Sequence, residues 1–138
     1  MNSYLLKGFL VSIAVPTATL ISTATVAQVT QIRLRAVMTA PPAAGDISGQ
    51  STFQRRGALR KFSVEVEGLR PSSVFNVVVG STIVGRIRID AFSQGDLNYD
   101  DNVEVGDDPR TRFPANFPAV QAVTVVRVGQ LSGTFRVR

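Results

Sequence analysis

Six of the ten acidic residues of this 138-residue chain crowd into one short stretch: Asp96, Asp100, Asp101, Glu104, Asp107 and Asp108. No Lys or Arg lies between the first and the last of them. Carboxylates at this density repel one another unless a cation or arginines neutralise them. The chemistry open to such a stretch is binding of a hard cation through oxygen ligands. Other chemistries are closed, because the chain has no Cys, no His and no Trp. Without Cys or His there is no disulfide, no thiolate nucleophile and no zinc site of the usual ligands. Without imidazole, Ser-His-Asp and Cys-His catalysis are excluded. Glu65 and Glu67 lie two apart, which puts both on one strand face, but glycosidase chemistry needs an acid of raised pKa within a cleft. Alternating polar residues on an outer strand face explain the pair more simply. Ser81 and Ser132 have no base near them in the sequence.

Residues Gly95 to Asp108 read GDLNYDDNVEVGDD and resemble the calcium loop of dockerin and EF-hand modules. The resemblance implies a ligand set. Such loops place oxygen ligands at positions 1, 3, 5, 7, 9 and 12. With Asp96 at position 1, Asn98, Asp100, Asn102, Glu104 and Asp107 take the other five, and the apolar Val103 falls at position 8. Asn102 would contribute its backbone carbonyl. The match is partial: position 6 is Asp101 instead of Gly, and Pro109 and Pro114 stand where an EF-hand continues as a helix. The same residues admit another reading. Leu97 and Tyr99 alternate with Asp96, Asn98 and Asp100, which predicts a strand followed by an acidic, solvated loop.

The basic residues are patterned too. Arg33 and Arg35, Arg86 and Arg88, and Arg136 and Arg138 are pairs at strand spacing, and side chains two apart share a face. Arg55, Arg56, Arg60 and Lys61 gather around a predicted hairpin turn at Gly57. If the paired strands share a sheet, the arginines form a cationic stripe suited to carboxylates, phosphates or sulfates. Otherwise they form a solvent face and pair with Glu65, Glu67 and Asp90 across strands. The expected partner is a protein or an anionic glycan at a cell surface. Nucleic acid is not expected, since Phe and Tyr do not interleave with the basic pairs and no recognition motif is present.

The elements that must position these groups read as strands. Apolar and polar residues alternate over Ile32–Met38, Phe62–Val66, Ile87–Ile89, Leu97–Tyr99 and Phe135–Val137. Two runs are nearly continuous, Val74–Val79 and Val120–Val128, and suit the deepest strands. A weaker strand is expected near Gln50–Gln54. Gly80-Ser81 predicts a two-residue hairpin, Gly85 another hairpin glycine, and Ser93-Gln94-Gly95 a turn. The stretch 101–119, with three prolines, is irregular. The expected fold is all-β: a single antiparallel sandwich, Ig-like, of seven or eight strands. A small barrel is the alternative.

Residues 1–27 carry the pattern of a secretory leader: Lys7 in a short n-region, an apolar stretch from Gly8 to Ile21, and small residues at Thr25 and Ala27 before Gln28. The apolar stretch is shorter than the roughly 20 residues a membrane span requires. The expected product is an exported domain, 28–138, that is secreted or resides in the periplasm or cell envelope, with no membrane span.

The strand layout itself carries a family resemblance. RLRAVMT at 33–39, KFSVEVEGLRP at 61–71, VVVGSTIVGRIRIDA at 77–91 and LSGTF at 131–135 resemble small exported bacterial β-sandwich modules. More loosely, the strand ending VEGL before a turn is similar to chordin-type β domains of bacterial exported proteins. Those domains carry a His-containing stretch after that turn, which is missing here. The resemblance implies fold and export, and no reaction. The expectation is a non-catalytic secreted structural or adhesion-type module, with a calcium-binding extracellular module as the alternative.

Overall fold

The structure, a computed structural model, describes residues 12–23, 25, 28–103 and 111–138. Strands form where the sequence alternates. β1 (Gln31–Met38), β2 (Ser48–Arg56) and β3 (Leu59–Glu67) make an antiparallel meander. In β1, buried Leu34, Ala36 and Met38 alternate with exposed Arg33, Arg35 and Val37. The β2–β3 reversal falls at Gly57, whose φ of +59° is a left-handed conformation that glycine adopts freely. The chain then crosses to a second sheet for β4 (Val74–Val79) and β5 (Thr82–Arg88), joined through Gly80-Ser81 as predicted. β6 (Gln94–Asp100) returns to pair with β3. β7 (Val125–Val128) lies beside β4, β8 (Leu131–Thr134) beside β7, and β9 (Arg136–Val137) back beside β1.

The result is an antiparallel sandwich of two sheets, ordered β6-β3-β2-β1-β9 and β5-β4-β7-β8. The core between them is aliphatic at one end and aromatic at the other. Fully buried Met38, Val64, Val66, Ile87, Ile89 and Leu131 fill the first part. Phe53, Phe62, Tyr99, Phe113 and Phe117 stack and abut at the other end. Phe113 and Phe117 come from the expected irregular stretch, so its described part is anchored by aromatic packing, with a single bridge between Thr111 and Tyr99.

Four local expectations need correction. Nine strands form instead of seven or eight, because most of the stretch 129–133, expected only to separate the last two strands, is itself strand: β8 begins at Leu131, and the predicted Phe135–Val137 strand shortens to β9. Phe135, fully buried, carries the chain from β8 in one sheet to β9 in the other. Val137, expected to point inward with Phe135, is therefore 75% exposed. The Val120–Val128 run is a strand only from Val125; Val123 turns the chain at φ +81°, held by its N–H to the Phe135 carbonyl at 2.9 Å. The turn expected at Ser93–Gly95 tightens earlier, around Asp90, whose Oδ1 accepts from the N–H groups of Phe92 and Gln94 at 2.8 and 2.9 Å. Gly85 is not in a hairpin turn but within β5, where a side chain would collide with Tyr99.

Within residues 1–27, the described residues 12–23 and 25 have neither helix nor strand. Ile13, Val15, Leu20 and Ile21 stand in solvent, apart from the core. No helix among the described residues is long and apolar enough to cross a membrane.

Candidate functional site

Sheet register decides what the outer face of the five-stranded sheet displays. Outward positions on β1 are Arg33 and Arg35, facing Gln54 and Thr52 of β2. Those in turn face Lys61 and Ser63 of β3. Ser63 and Glu65 then face Asn98 and Asp96 of β6. On the other side of β1, Arg136 of β9 stands directly opposite Arg35. Arg138 reaches the level of Arg33, whose carbonyl accepts from its backbone N–H at 3.1 Å. All four arginines are exposed.

The face is thus polarised: arginines on β9 and β1, carboxylates on β3 and β6. Glu65 and Asp96 are opposed across the β3–β6 pair as Arg35 and Arg136 are across β1–β9. Adjacent strands lie roughly 4.8 Å apart, so about 10 Å separates β1 from β3. Gln50 of β2 spans that gap. Arg35 Nη2 donates to Gln50 Oε1 at 2.9 Å, and Gln50 Nε2 donates to Glu65 Oε2 at 2.7 Å. Thr52 and Ser63 hydroxyls share a hydrogen bond of 2.7 Å beside this relay.

Two of the three predicted arginine pairs are therefore brought together on one sheet. The third, Arg86 and Arg88, lies on β5 of the other sheet, opposite Asn76 and Val74. The alternative pairing with Glu65, Glu67 and Asp90 is indirect at most. Arg35 reaches Glu65 only through Gln50, and Asp90 is engaged by its own turn. The ion pairs among the described residues are Arg60–Asp101 and Lys61–Asp100. Glu65 and Glu67 flank a shallow hollow of about 310 Å³ with Asp90 and Asp96.

The calcium-loop residues divide. Asp96, Asn98 and Asp100 lie along the extended strand β6, on its outward side. A strand rises about 3.3 Å per residue, which spreads the three over about 13 Å. Calcium holds its oxygens at about 2.3–2.6 Å, so as folded these three have no common point at which to hold one ion. Asn98 instead donates through Nδ2 to Asp96 at 2.6 Å. Asp100 is buried, near Lys61 Nζ at 3.5 Å, and accepts from the Asn102 N–H at 2.8 Å. Asn102 sits in the turn after β6. Glu104 and Asp107 lie outside the described residues.

Asp101 was the departure from the loop pattern, and its position explains why. It continues the β3–β6 ladder, donating its N–H to the Arg60 carbonyl at 3.0 Å. Its carboxylate accepts from Arg60 Nε and Nη2 at 2.8 and 3.1 Å, and from the Arg60 backbone N–H at 2.9 Å. The guanidinium also rests over the Phe113 ring, 4.2 Å from its centroid. The side-chain hydrogen bond from Arg60 holds the Asp101 carboxyl below the usual aspartate range.

A pH prediction follows from that direction. The folded value is lower than the unfolded one, about 3.9. The stability contribution is complete above the unfolded value and is lost as pH falls through the folded value. Arg60→Gln should cost about 1–2 kcal/mol at pH 7, since both side chains are partly solvated, and should flatten the acid limb below about pH 4. Urea unfolding at pH 7 and through the acid range checks this; an unchanged acid limb in the variant would show that the pair is not its source.

No protein-family model matches the chain, and no curated protein matches it.

Proposed function

We propose that the chain is a non-catalytic exported interaction module whose β9–β1 arginine face binds an anionic glycan at a cell surface. One observation carries the reading. Arg35 and Arg136 are directly opposed, with Arg33 and Arg138 in the next rank. None of the four has a carboxylate partner among the described residues. Like charges directly opposite each other across strands are destabilising. An acidic polymer laid along this edge relieves the repulsion and gains bidentate, charge-assisted hydrogen bonds from planar guanidinium groups. Gln50 holds one donor of Arg35, which limits its rotamers and leaves its other N–H groups for a ligand. The leader pattern at 1–27 supports export, as does the separation of its described apolar side chains from the core.

The test is a titration with polygalacturonate, a uronic-acid polymer, at low and high salt. The wild-type chain should bind, and binding should weaken as salt screens the charges. The triple change Arg33→Gln, Arg35→Gln and Arg136→Gln should lose at least about ten-fold, equivalent to about 1.4 kcal/mol. Arg86→Gln with Arg88→Gln, on the other sheet, should bind as wild type. Equal binding by the triple variant would refute the assignment of this face.

The acidic segment carries calcium as a second reading, supported by its charge density and by the oxygen-bearing residues Asp96, Asn98, Asp100 and Asn102. Closure on an ion requires the end of β6 to rearrange. On this reading millimolar calcium raises Tm through ligand linkage, and a chelator reverses the rise. Absence of a shift removes the reading.

A further inference from the structure

Arginines are opposed at a second place, on the inward side of the same sheet. Near the β2–β3 turn, the inward row passes from apolar to basic. Phe53 stands opposite Phe62, and two residues further along each strand Arg55 stands opposite Arg60, with Ile32 of β1 flanking Arg55. The segment 117–121 lies over this row and leaves a cleft of about 460 Å³. Ile32, Phe53, Phe117 and Val120 supply its apolar lining, and Arg55 and Arg60 its charge. Small-molecule sites have volumes of about 300–1,000 Å³, an apolar lining and a few placed polar groups.

The two arginines differ in how they are compensated. Arg60 is fixed by Asp101 through Nε and Nη2 and by the Phe113 ring, which leaves its Nη1 unspent. Arg55 has no carboxylate partner among the described residues. Among the described residues, Arg55 and Arg60 against the one carboxylate of Asp101 leave a balance of one positive unit at the cleft. That balance suits a monoanion. The apolar lining suits a ligand whose remainder is hydrocarbon.

We propose that this cleft binds a carboxylate amphiphile, its head between Arg55 and Arg60 and its apolar body against Phe53, Phe117 and Val120. The charge balance disfavours a phosphate dianion, and the lining disfavours a small hydrophilic acid. The site is distinct from the β9–β1 face, so either can fail without the other.

The experiment is calorimetric titration of the chain with octanoate, octan-1-ol and acetate. Octanoate should bind at least about ten-fold more tightly than octan-1-ol, a difference of about 1.4 kcal/mol, and acetate should give no measurable binding. Arg55→Gln, a change at an exposed side chain, should cost octanoate about ten-fold and leave octan-1-ol unchanged. Ala119→Trp, on the exposed wall of the cleft, should block both ligands. Circular dichroism confirms that each variant is folded, and polygalacturonate binding should be unaltered in both. Octanoate failing to bind at millimolar concentration, octan-1-ol binding equally well, or Arg55→Gln leaving octanoate unchanged would each overturn the proposal.

Discussion

Replacing Phe117 with Ala is expected to destabilise the domain by about 3–5 kcal/mol and to lower Tm by about 10 °C or more. Phe117 is 9% exposed and sits at the centre of the aromatic end of the core. Its ring centroid lies 4.7 Å from that of Phe113, 5.0 Å from Phe62, 6.1 Å from Tyr99 and 6.5 Å from Phe53. Three of those four contacts are edge-to-face and the fourth, to Phe53, is stacked, arrangements that aromatic quadrupoles favour. Truncation removes the ring from its burial and leaves a cavity that two sheets cannot collapse into. It also loosens the segment after Thr111, since Phe113 then keeps only Tyr99 and the Arg60 guanidinium as ring contacts. The loss is a large share of a typical domain stability of about 5–15 kcal/mol. Phe92→Ala is the control. That ring is 84% exposed, and its loss should stay within about 0.5 kcal/mol. Thermal and urea melts of both variants check the pair. A Phe117→Ala cost below about 1 kcal/mol would mean that the segment does not pack as described.

Gly85→Val is expected to cost about 2–4 kcal/mol, from overpacking and a lost hydrogen bond together. A Cβ at Gly85 would meet the Tyr99 hydroxyl within van der Waals contact and Leu97 Cδ2 at 2.9 Å. Tyr99 needs that space because its hydroxyl donates to the Val84 carbonyl at 2.6 Å. The β4–β5 register also shifts between Val77 and Val78, so the backbone near Gly85 is already irregular. A side chain there pushes the phenol out of its hydrogen bond and into Phe62. The double change Gly85→Ala with Tyr99→Phe isolates the cause. With the hydroxyl gone, Gly85→Ala should cost about 1 kcal/mol less than it does alone. Simple additivity of the two costs would show that Tyr99 is not the obstruction.

Much of the architecture was legible because half-buried strands write burial into the sequence at period two. β1 carries that period from Ile32 to Ala36 and β3 from Phe62 to Glu67, and the hairpins at Gly57 and Gly80-Ser81 carry turn chemistry. What escaped depends on partners distant in the chain. Nothing local to Phe135 tells that the strand ends there and the chain changes sheets. Val120–Val123 is apolar like a strand, but its valines serve a cleft wall and a turn. Gly85 reads as a turn glycine until Tyr99 is seen above it.

The acidic stretch shows a different limit. Ligand positions 1, 3 and 5 of a calcium loop and the outward face of a strand share one spacing. Asp96, Asn98 and Asp100 satisfy both patterns, and the pairing of β6 with Lys61, Ser63 and Glu65 of β3 makes the strand. The arginine pairs were legible as pairs. Their opposition was not, because it rests on β9 meeting β1 in one particular register across about a hundred residues of chain. For the same reason Arg55 and Arg60 read as a basic turn, and their inward position above Phe53 and Phe62 emerged only from the sheet.

The binding of an acidic polymer by the β9–β1 face is tested most directly by mapping a polygalacturonate titration residue by residue with NMR. The expected result is chemical-shift change concentrated at Arg33, Arg35, Arg136 and Arg138 and at the Gln50 side-chain amide. Backbone signals of β4 and β5 should stay in place. Shift changes confined to the β4–β5 face, or none at saturating polymer, would contradict the assignment.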